Sequence, residues 1–351
     1  MSVMVLYNLN LVISIIIIFY SSNWLLIWGF IELVTLSIVV LLSRDNTPRS
    51  IEATSKYFLL QSVASVVVLM GIFLNSLEVN TFSIYNNYNE VAYNILIIGI
   101  LIKMAVFPNP FWFIDVVSGV SIARSVYVLV ISKIVPLYIY FILSNNNITF
   151  LVIIVCLLSI SYGSILGINQ QSIRKIIGLS SVAHMGWILI SFPLLSGEVC
   201  LLLFIIYVIM LTPFLFSLYI CNINTILKIS GGYYNITYVY IIIFSLLSLG
   251  GLPPFIGFFY KWIIFNILAT NFYIILCCLL ILFSLVALFF YLQICFSING
   301  IYWPELKILF LLNFRFGGEN ILIILVLLIL IFLNLFGIIG VLFINPLIGL
   351  W

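Results

Sequence analysis

Long apolar runs separated by short polar breaks dominate the chain. The runs cover approximately 2–20, 23–43, 57–76, 91–107, 121–143, 148–167, 174–193, 198–221, 236–265, 271–297 and 321–344. A helix needs about 20 mostly apolar residues to cross a bilayer, and each run is near that length. The runs are continuous rather than alternating, which excludes a membrane barrel. The pattern therefore predicts an all-α, polytopic membrane protein with about eleven transmembrane helices.

The composition also indicates a lipid environment. Charged residues make up 6% of the 351 residues and hydrophobic residues 66%, whereas a soluble chain carries about 25% charged residues. This excludes a soluble enzyme, a disordered chain and a nucleic-acid binder. Six cysteines without metal-ligand spacing and a single histidine predict no metal or haem cofactor in this chain. Because no Lys or Arg precedes Arg44, we expect neither a signal peptide nor a transit peptide.

Basic residues mark one side of the predicted membrane domain. Nine fall in the even-numbered loops or beside them: Arg44, Arg49, Lys56, Arg124, Arg174, Lys175, Lys228, Lys307 and Arg315. The charged residues in the odd-numbered loops are all acidic. Since Lys and Arg are retained on the cytoplasmic or matrix side, the N-terminus and the even loops are predicted to lie there. The C-terminus is predicted on the opposite side.

Four charged residues remain inside predicted spans, and the only histidine lies mid-span. They are Glu32, Lys103, Lys133, Lys261 and His184, the last beside the hydroxyls of Ser180 and Ser181. A charge at the bilayer centre costs at least about 2.5–3.5 kcal/mol, so we expect these residues to form a proton pathway. The alternatives are lysines near helix ends that extend to the interface, a structural ion pair, and a core histidine satisfied by its neighbours.

Helix-breaking prolines accompany each of the buried lysines. These prolines are Pro108, Pro136, Pro253 and Pro254. A proline inside a helix frees a carbonyl four residues earlier, and in a membrane that carbonyl needs a protein or water partner. Broken helices beside charge are typical of ion pathways built from inverted repeats. We therefore expect a single transmembrane domain over 1–351 with two inverted five-helix repeats, about 1–143 and 148–297, and a C-terminal helix over 321–344.

Several short segments form an ordered set of motifs. They read WGFIE at 28–32, EATSKYFLLQSVAS at 52–65, KIVP at 133–136, GINQ at 167–170, SSVAHMGW at 180–187 and SLGGLPPFIGFFYKW at 248–262. In this order they resemble the chain 2 family of mitochondrial NADH-ubiquinone oxidoreductase, an antiporter-like membrane subunit of respiratory complex I. The family reads Pro-Phe-His-x-Trp-x-Pro-Glu after the lysine of the fourth helix. Here the segment reads PNPFWFID at 108–115. Pro110 stands in place of the histidine, so the role of that histidine in the family is not transferred to this chain.

The resemblance implies a multi-pass subunit of the mitochondrial inner membrane, with its N-terminus on the matrix side and its C-terminus on the intermembrane-space side. It implies neighbouring antiporter-like and small membrane-arm subunits as partners, together with lipids. NADH, FMN, Fe–S clusters and ubiquinone are expected in partner subunits, with no cofactor and no nucleic acid bound to this chain. A free-standing cation/proton antiporter and a structural scaffold without pumping are the alternatives.

These residues suggest a sequence of proton transfers. Glu32 and Lys103 would form a movable pair, in which approach of the carboxylate favours the charged lysine. When the pair separates, the proton would pass through water to Lys133. From there His184 and the neighbouring hydroxyls would carry it towards Lys261. Redox chemistry in partner subunits would drive the transfer, because moving one charge against the membrane potential costs about 2.3 kcal/mol per 100 mV.

Overall fold

The computed structural model describes residues 2–45, 47–84, 88–144, 150–168, 170–223, 225, 236–302 and the isolated positions 329, 332, 334 and 335. It divides into two compact units, 1–159 and 160–351. The helix predicted over 321–344 lies outside the described residues, except for the isolated positions. The basic positions 228, 307 and 315 also lie outside them.

The first unit consists of a series of helices and one irregular turn. The helices are α1 (Ser2–Tyr20), α2 (Trp24–Leu42), α3 (Pro48–Val79), α4 (Glu90–Lys103), α5 (Phe111–Gly119), α6 (Ile122–Val126), α7 (Ser132–Leu143) and α8 (Phe150–Gly167). A π-helical turn, Tyr127–Ile131, joins α6 to α7. The boundary between the two units falls inside α8. Within the first unit, α3 packs on α2, α4 and α5, and α4 packs on α7.

The second unit continues with α9 (Ile173–Ser191), α10 (Gly197–Ile220), α11 (Ile236–Gly250), α12 (Ile256–Thr270) and α13 (Ile274–Tyr302). Helix α9 lies at its centre, because every side chain over 176–191 is buried. The most apolar window of α9 is 100% buried inside the protein, against 28–56% for the other long apolar helices. Helix α9 therefore leaves little surface for lipid, and α10 and α12 pack directly on it.

The all-α membrane architecture predicted from the sequence is confirmed. Over the described residues the structure contains helices and two isolated bridges but no β-strand. Seven of the described helical segments are long and apolar enough to cross a membrane, and shorter apolar helices lie at Met4–Tyr20, Tyr238–Gly250 and Ile256–Thr270. The predicted fourth span ends early, the predicted fifth contains the π-helical turn, and the predicted ninth is divided in two, in agreement with the prolines beside them.

The third helix begins earlier than predicted, at Pro48 instead of residue 57. The Thr47 hydroxyl accepts a hydrogen bond from the backbone N–H of Ser50, and the Ser50 hydroxyl accepts one from the N–H of Thr47. This reciprocal cap, with a proline at the first helical position, stabilises a helix start that contains few apolar residues. Arg49 and Lys56 therefore lie on the first turns of α3 and not in a loop.

The fourth helix ends at Lys103, and not near residue 107 as predicted. Ala105 adopts a left-handed conformation with φ of 60°. Its N–H donates to the carbonyl of Ile102, and the N–H of Val106 donates to the carbonyl of Leu101. This pair of bonds is the Schellman arrangement that closes a helix C-terminus. The prediction missed this end because a glycine usually marks the left-handed position, and here it is alanine.

The ninth predicted span consists of two helices. Helix α11 ends at Gly250, Gly251 follows with φ of +79°, and α12 starts at Ile256. A side chain at Gly257 would place its Cβ 1.7 Å from the carbonyl oxygen of Ser248. The two halves of the span therefore approach at a distance that only a glycine permits.

Candidate functional site

Lys103 is buried in the first unit, with 4% of its surface exposed. Its Nζ donates a hydrogen bond of 3.3 Å to the backbone carbonyl of Gln61. In return, the Gln61 side-chain amide donates a bond of 3.1 Å to the carbonyl of Lys103. In a continuous helix that carbonyl would accept from residue 107, but here the helix has ended. Gln61 thus satisfies a carbonyl that the helix break leaves open.

Lys103 occupies a helix C-terminus, and Glu32 is the carboxylate predicted to pair with it. The lysine closes α4, and the C-terminal end of a helix carries a partial negative charge. Glu32 lies on α2 and is half-buried. The Thr35 hydroxyl donates to the backbone carbonyl of Glu32 at 2.8 Å and lies 3.3 Å from its Oε2 atom. The pairing of Glu32 with Lys103 stays a prediction.

A small cavity of about 20 Å³ lies beside Lys103. It is bounded by α2, α3, α4 and α7, and most of its wall is apolar. Its polar lining comes from Thr35, Tyr57, Gln61, Lys103 and Ser132. A cavity of this size has room for about one water molecule, and its polar lining offers that water hydrogen-bond partners. The cavity extends from the side of Lys103 to the start of the helix that carries Lys133.

Lys133 lies in the second residue position of α7, directly after the π-helical turn. It is 1% exposed, and its Nζ is 4.7 Å from the ring centre of Phe113. Pro136, inside α7, cannot donate to the carbonyl of Ser132, as the sequence predicted. Separately, the Ser132 hydroxyl donates to the carbonyl of Val128, in the π-helical turn, at 2.7 Å. The irregular backbone of the π-helical turn thus comes directly before Ser132, which lines the cavity, and Lys133.

The short helix α5 was not predicted, and it begins at the position where the family motif has histidine. Pro110 caps α5, and its carbonyl accepts from the N–H groups of Phe113 and Ile114 at 3.2 and 3.4 Å. A proline suits a helix start because it needs no acceptor for a backbone N–H. Asp115 on α5 lies 3.1 Å from Lys56 of α3, which connects the two helices at the surface.

His184 lies in the second unit, inside α9, and is 4% exposed. Two tyrosine rings surround its imidazole: Tyr207 at 5.8 Å and Tyr260 at 5.6 Å between ring centres. The Tyr260 hydroxyl donates to the backbone carbonyl of His184 at 3.0 Å. Helix α12, which carries Lys261, is thereby connected to α9 at the histidine itself.

The two serines predicted to assist His184 are both buried. Ser180 Oγ donates to the carbonyl of Ile177 at 2.9 Å, and Ser181 Oγ donates to that of Gly178 at 2.8 Å. Each hydroxyl oxygen can still accept a hydrogen bond. Hydroxyl groups therefore line this part of α9, as expected from the sequence.

Lys261 lies on α12 and is 8% exposed. Its Nζ donates a hydrogen bond of 2.8 Å to the carbonyl of Gly250, the last residue of α11. The ring centre of Trp187 is 6.0 Å from the same nitrogen. The side chain thus binds the negative end of a broken helix, whereas Lys103 in the first unit binds the carbonyl of Gln61 in the middle of α3. Both lysine side chains are buried within the protein.

The structure places all five predicted residues and both serines in buried or half-buried positions, and their part in proton transfer remains a prediction. The prolines at 108, 136, 253 and 254 lie at or beside the interruptions. Sequence reasoning missed Gln61, Phe113 and Tyr260, because their contacts join different helices and no local pattern signals them. Over the described part of the chain there is no group of three His, Cys, Asp or Glu residues able to hold a metal ion.

The family of this chain follows from comparison of its sequence with known proteins. Residues 21–286 match the family model described as NADH:quinone oxidoreductase/Mrp antiporter, TM. NADH-ubiquinone oxidoreductase chain 2 of Paradoxurus hermaphroditus is 35% identical over 283 residues, which are 80% of this chain and 81% of that protein. A relative of the same name from Oryctolagus cuniculus is 35% identical over 288 residues, 81% of this chain and 82% of that protein.

A chain in the structure of respiratory complex I from Thermus thermophilus with bound aureothin superposes with a TM-score of 0.84. The two chains are 19% identical, and the match covers 98% of this chain and 79% of the other. At that identity the superposition shows the fold alone. The family model and the chain 2 relatives carry the assignment: the chain belongs to the NADH-ubiquinone oxidoreductase chain 2 family, within the NADH:quinone oxidoreductase/Mrp antiporter membrane proteins.

Proposed function

We propose that the chain is a proton-translocating or proton-relaying membrane subunit of respiratory complex I in the mitochondrial inner membrane. The observation that carries the proposal is the burial of three lysines, each beside an interrupted helix. Lys103 closes α4, Lys133 follows the π-helical turn, and Lys261 binds the end of α11. Charged groups inside a membrane protein are expensive and generally mark an ion or proton pathway.

The first unit contains the parts of a proton transfer step. In this proposal the carboxylate of Glu32 approaches Lys103 and favours its charged form, and the cavity lined by Lys103 and Ser132 lies between that lysine and the start of α7. When the carboxylate moves away, the charged form of Lys103 loses part of its stabilisation. Water in the cavity then offers a route for the proton towards Lys133.

The second unit contains the remaining predicted groups. Within it, His184 and Lys261 are joined through α12, because Tyr260 contacts the histidine and the lysine follows that tyrosine in the chain. We propose that this unit passes the proton onwards or relays it to a neighbouring subunit. In agreement with the distribution of Lys and Arg, the proposed orientation places the N-terminus on the matrix side. We propose the same architecture as the sequence predicts, with two inverted five-helix repeats.

Complex I supplies the driving force in this proposal. The chain 2 relatives are named as NADH-ubiquinone oxidoreductase subunits, and the Thermus thermophilus structure is a respiratory complex. NADH, FMN, Fe–S clusters and ubiquinone would then act in partner subunits, and neighbouring antiporter-like subunits would contact this chain. The proposed role of the chain is to couple that redox chemistry to proton movement through its own buried charges.

The substitution Lys133→Met in the assembled complex tests the proposal. Methionine fills a similar volume without a charge or a proton. Protons translocated per NADH oxidised are measured in sealed inner-membrane vesicles, and we expect a lower ratio for the variant. Lys175→Met is the matched control, since Lys175 is exposed. A normal ratio in the fully assembled Lys133→Met complex would show that this lysine has no central role.

A free-standing cation/proton antiporter is the second candidate, because the matched family model includes Mrp antiporters. A chain of the Mrp complex from Dietzia sp. DQ12-45-1b superposes with a TM-score of 0.72 at 18% identity, over 83% of this chain and 60% of the other, which shows a shared fold. Purification decides between the two. Co-purification with flavin and Fe–S subunits supports the complex I assignment, and isolation without them supports the antiporter. A scaffold role predicts that neutralising the lysines reduces assembly but not pumping per assembled complex.

A further inference from the structure

The ring of Phe113 faces the ammonium group of Lys133. The nitrogen is 4.7 Å from the ring centre, inside the distance of about 6 Å at which a cation and an aromatic face attract each other. Both side chains are 1% exposed. Removal of water strengthens such a contact, because the surrounding protein screens the charge less than water does.

We propose that Phe113 is a positioning residue for proton transfer, which stabilises the charged form of Lys133 and makes this lysine a proton acceptor. The inference rests on the proposed proton-translocating function. An aromatic face attracts the ammonium form and not the neutral amine, so its effect appears when Lys133 binds a proton. Loss of the ring would weaken that proton binding by roughly 2- to 30-fold, the range of cation–π contacts from exposed to desolvated sites.

The ring is held by a rigid local structure. Phe113 packs edge-on against Trp112, with ring centres 5.8 Å apart. Helix α5 is fixed to α3 at its far end, where a Cβ at Gly119 would lie 2.8 Å from the Cβ of Ala53. The ring therefore has little freedom to move away from the lysine. A fixed donor of electrostatic stabilisation does not need to reorganise when the charge arrives.

Helix α5, which carries Phe113, lies close in the chain to Lys103. The helix starts at Phe111, a few residues after the break that follows Lys103. One continuous segment thus carries the lysine that gives up the proton and the ring that stabilises the lysine receiving it. The family motif leaves the residue at 113 unspecified, between its tryptophan and its second proline, so the motif itself assigns no role to this ring.

The test replaces the ring and measures protons translocated per NADH oxidised by the assembled complex. Phe113→Leu and Phe113→Met keep an apolar side chain of similar volume without an aromatic face, and we expect both to lower the ratio. Phe113→Tyr and Phe113→Trp keep the face, and we expect ratios near that of the unmodified complex. Phe111→Leu is the control, because this residue lies on the same helix and is 59% exposed.

The ratio is independent of how much complex assembles, so a purely structural role of Phe113 would reduce assembly and leave the ratio unchanged. Normal ratios in the Leu and Met variants would overturn the inference. Equal losses in the Tyr and Trp variants would overturn it as well, since shape and not the aromatic face would then matter. A low ratio in Lys133→Met combined with normal Phe113 variants would reject this inference alone and leave the proposed function standing.

Discussion

The pair of hydrogen bonds between Gln61 and Lys103 can be separated by one substitution. Gln61→Met removes the side-chain amide that donates to the carbonyl of Lys103. It keeps the backbone carbonyl that accepts from the lysine Nζ. The helix end therefore loses its partner, while the charge of the lysine keeps one. Methionine is similar to glutamine in length, so the change leaves no large void.

The expected loss of stability follows from the burial of the bond. Gln61 is 3% exposed, and the carbonyl it satisfies belongs to a residue that is 4% exposed. A buried polar group left without a partner costs about 1–3 kcal/mol. If this cost appears in the barrier to unfolding, heat inactivation becomes roughly 5- to 150-fold faster, because each 1.36 kcal/mol is a factor of ten. Pumping per assembled complex should change much less than stability.

The assay compares the rate of heat inactivation of NADH-driven proton pumping in vesicles that carry each variant. Gln171→Met is the matched control, because Gln171 is exposed and the same atoms are removed. An inactivation rate for Gln61→Met equal to that of the control would refute the account of the helix end. A collapse of pumping with unchanged stability would show that the amide serves proton transfer and not the helix break.

Two further predictions concern close contacts in the second unit. Gly257→Ala places a Cβ 1.7 Å from the carbonyl oxygen of Ser248, so we expect little assembled complex on native gels, whereas Gly29→Ala meets nothing within 4 Å and should assemble normally. Tyr260→Phe removes the hydrogen bond to the carbonyl of His184. A thermal-shift measurement should show a loss of about 0.5–1.5 kcal/mol, and a loss near zero would count against that contact.

The long apolar helices could be predicted from the sequence because burial in lipid imposes a continuous signal. Helix α1 has the predicted bounds and α2 differs by one residue at each end, since polar residues interrupt the runs there. The start of α3 was missed because its first turns are polar and depend on a capping box around Pro48. Helix starts of this kind depend on hydrogen bonds between specific side chains, which hydropathy does not reveal.

The candidate site was predictable in its charges and not in their partners. A lysine inside an apolar run is visible in any sequence, because its cost in lipid sets it apart. Its partners are not visible in this way. Gln61 and Lys103 are 42 residues apart, and Phe113 reaches Lys133 from a helix that the periodicity did not show. The helix end at Ala105 was hidden because a left-handed alanine has no distinctive sequence pattern.

The central claim is that buried lysines of both units carry protons. The most direct test is the number of protons translocated per NADH oxidised in vesicles with fully assembled complex, measured for Lys103→Met, Lys133→Met and Lys261→Met beside Lys175→Met. The account predicts lower ratios for the three buried positions and an unchanged ratio for the exposed one. Unchanged ratios at all three buried positions would contradict it.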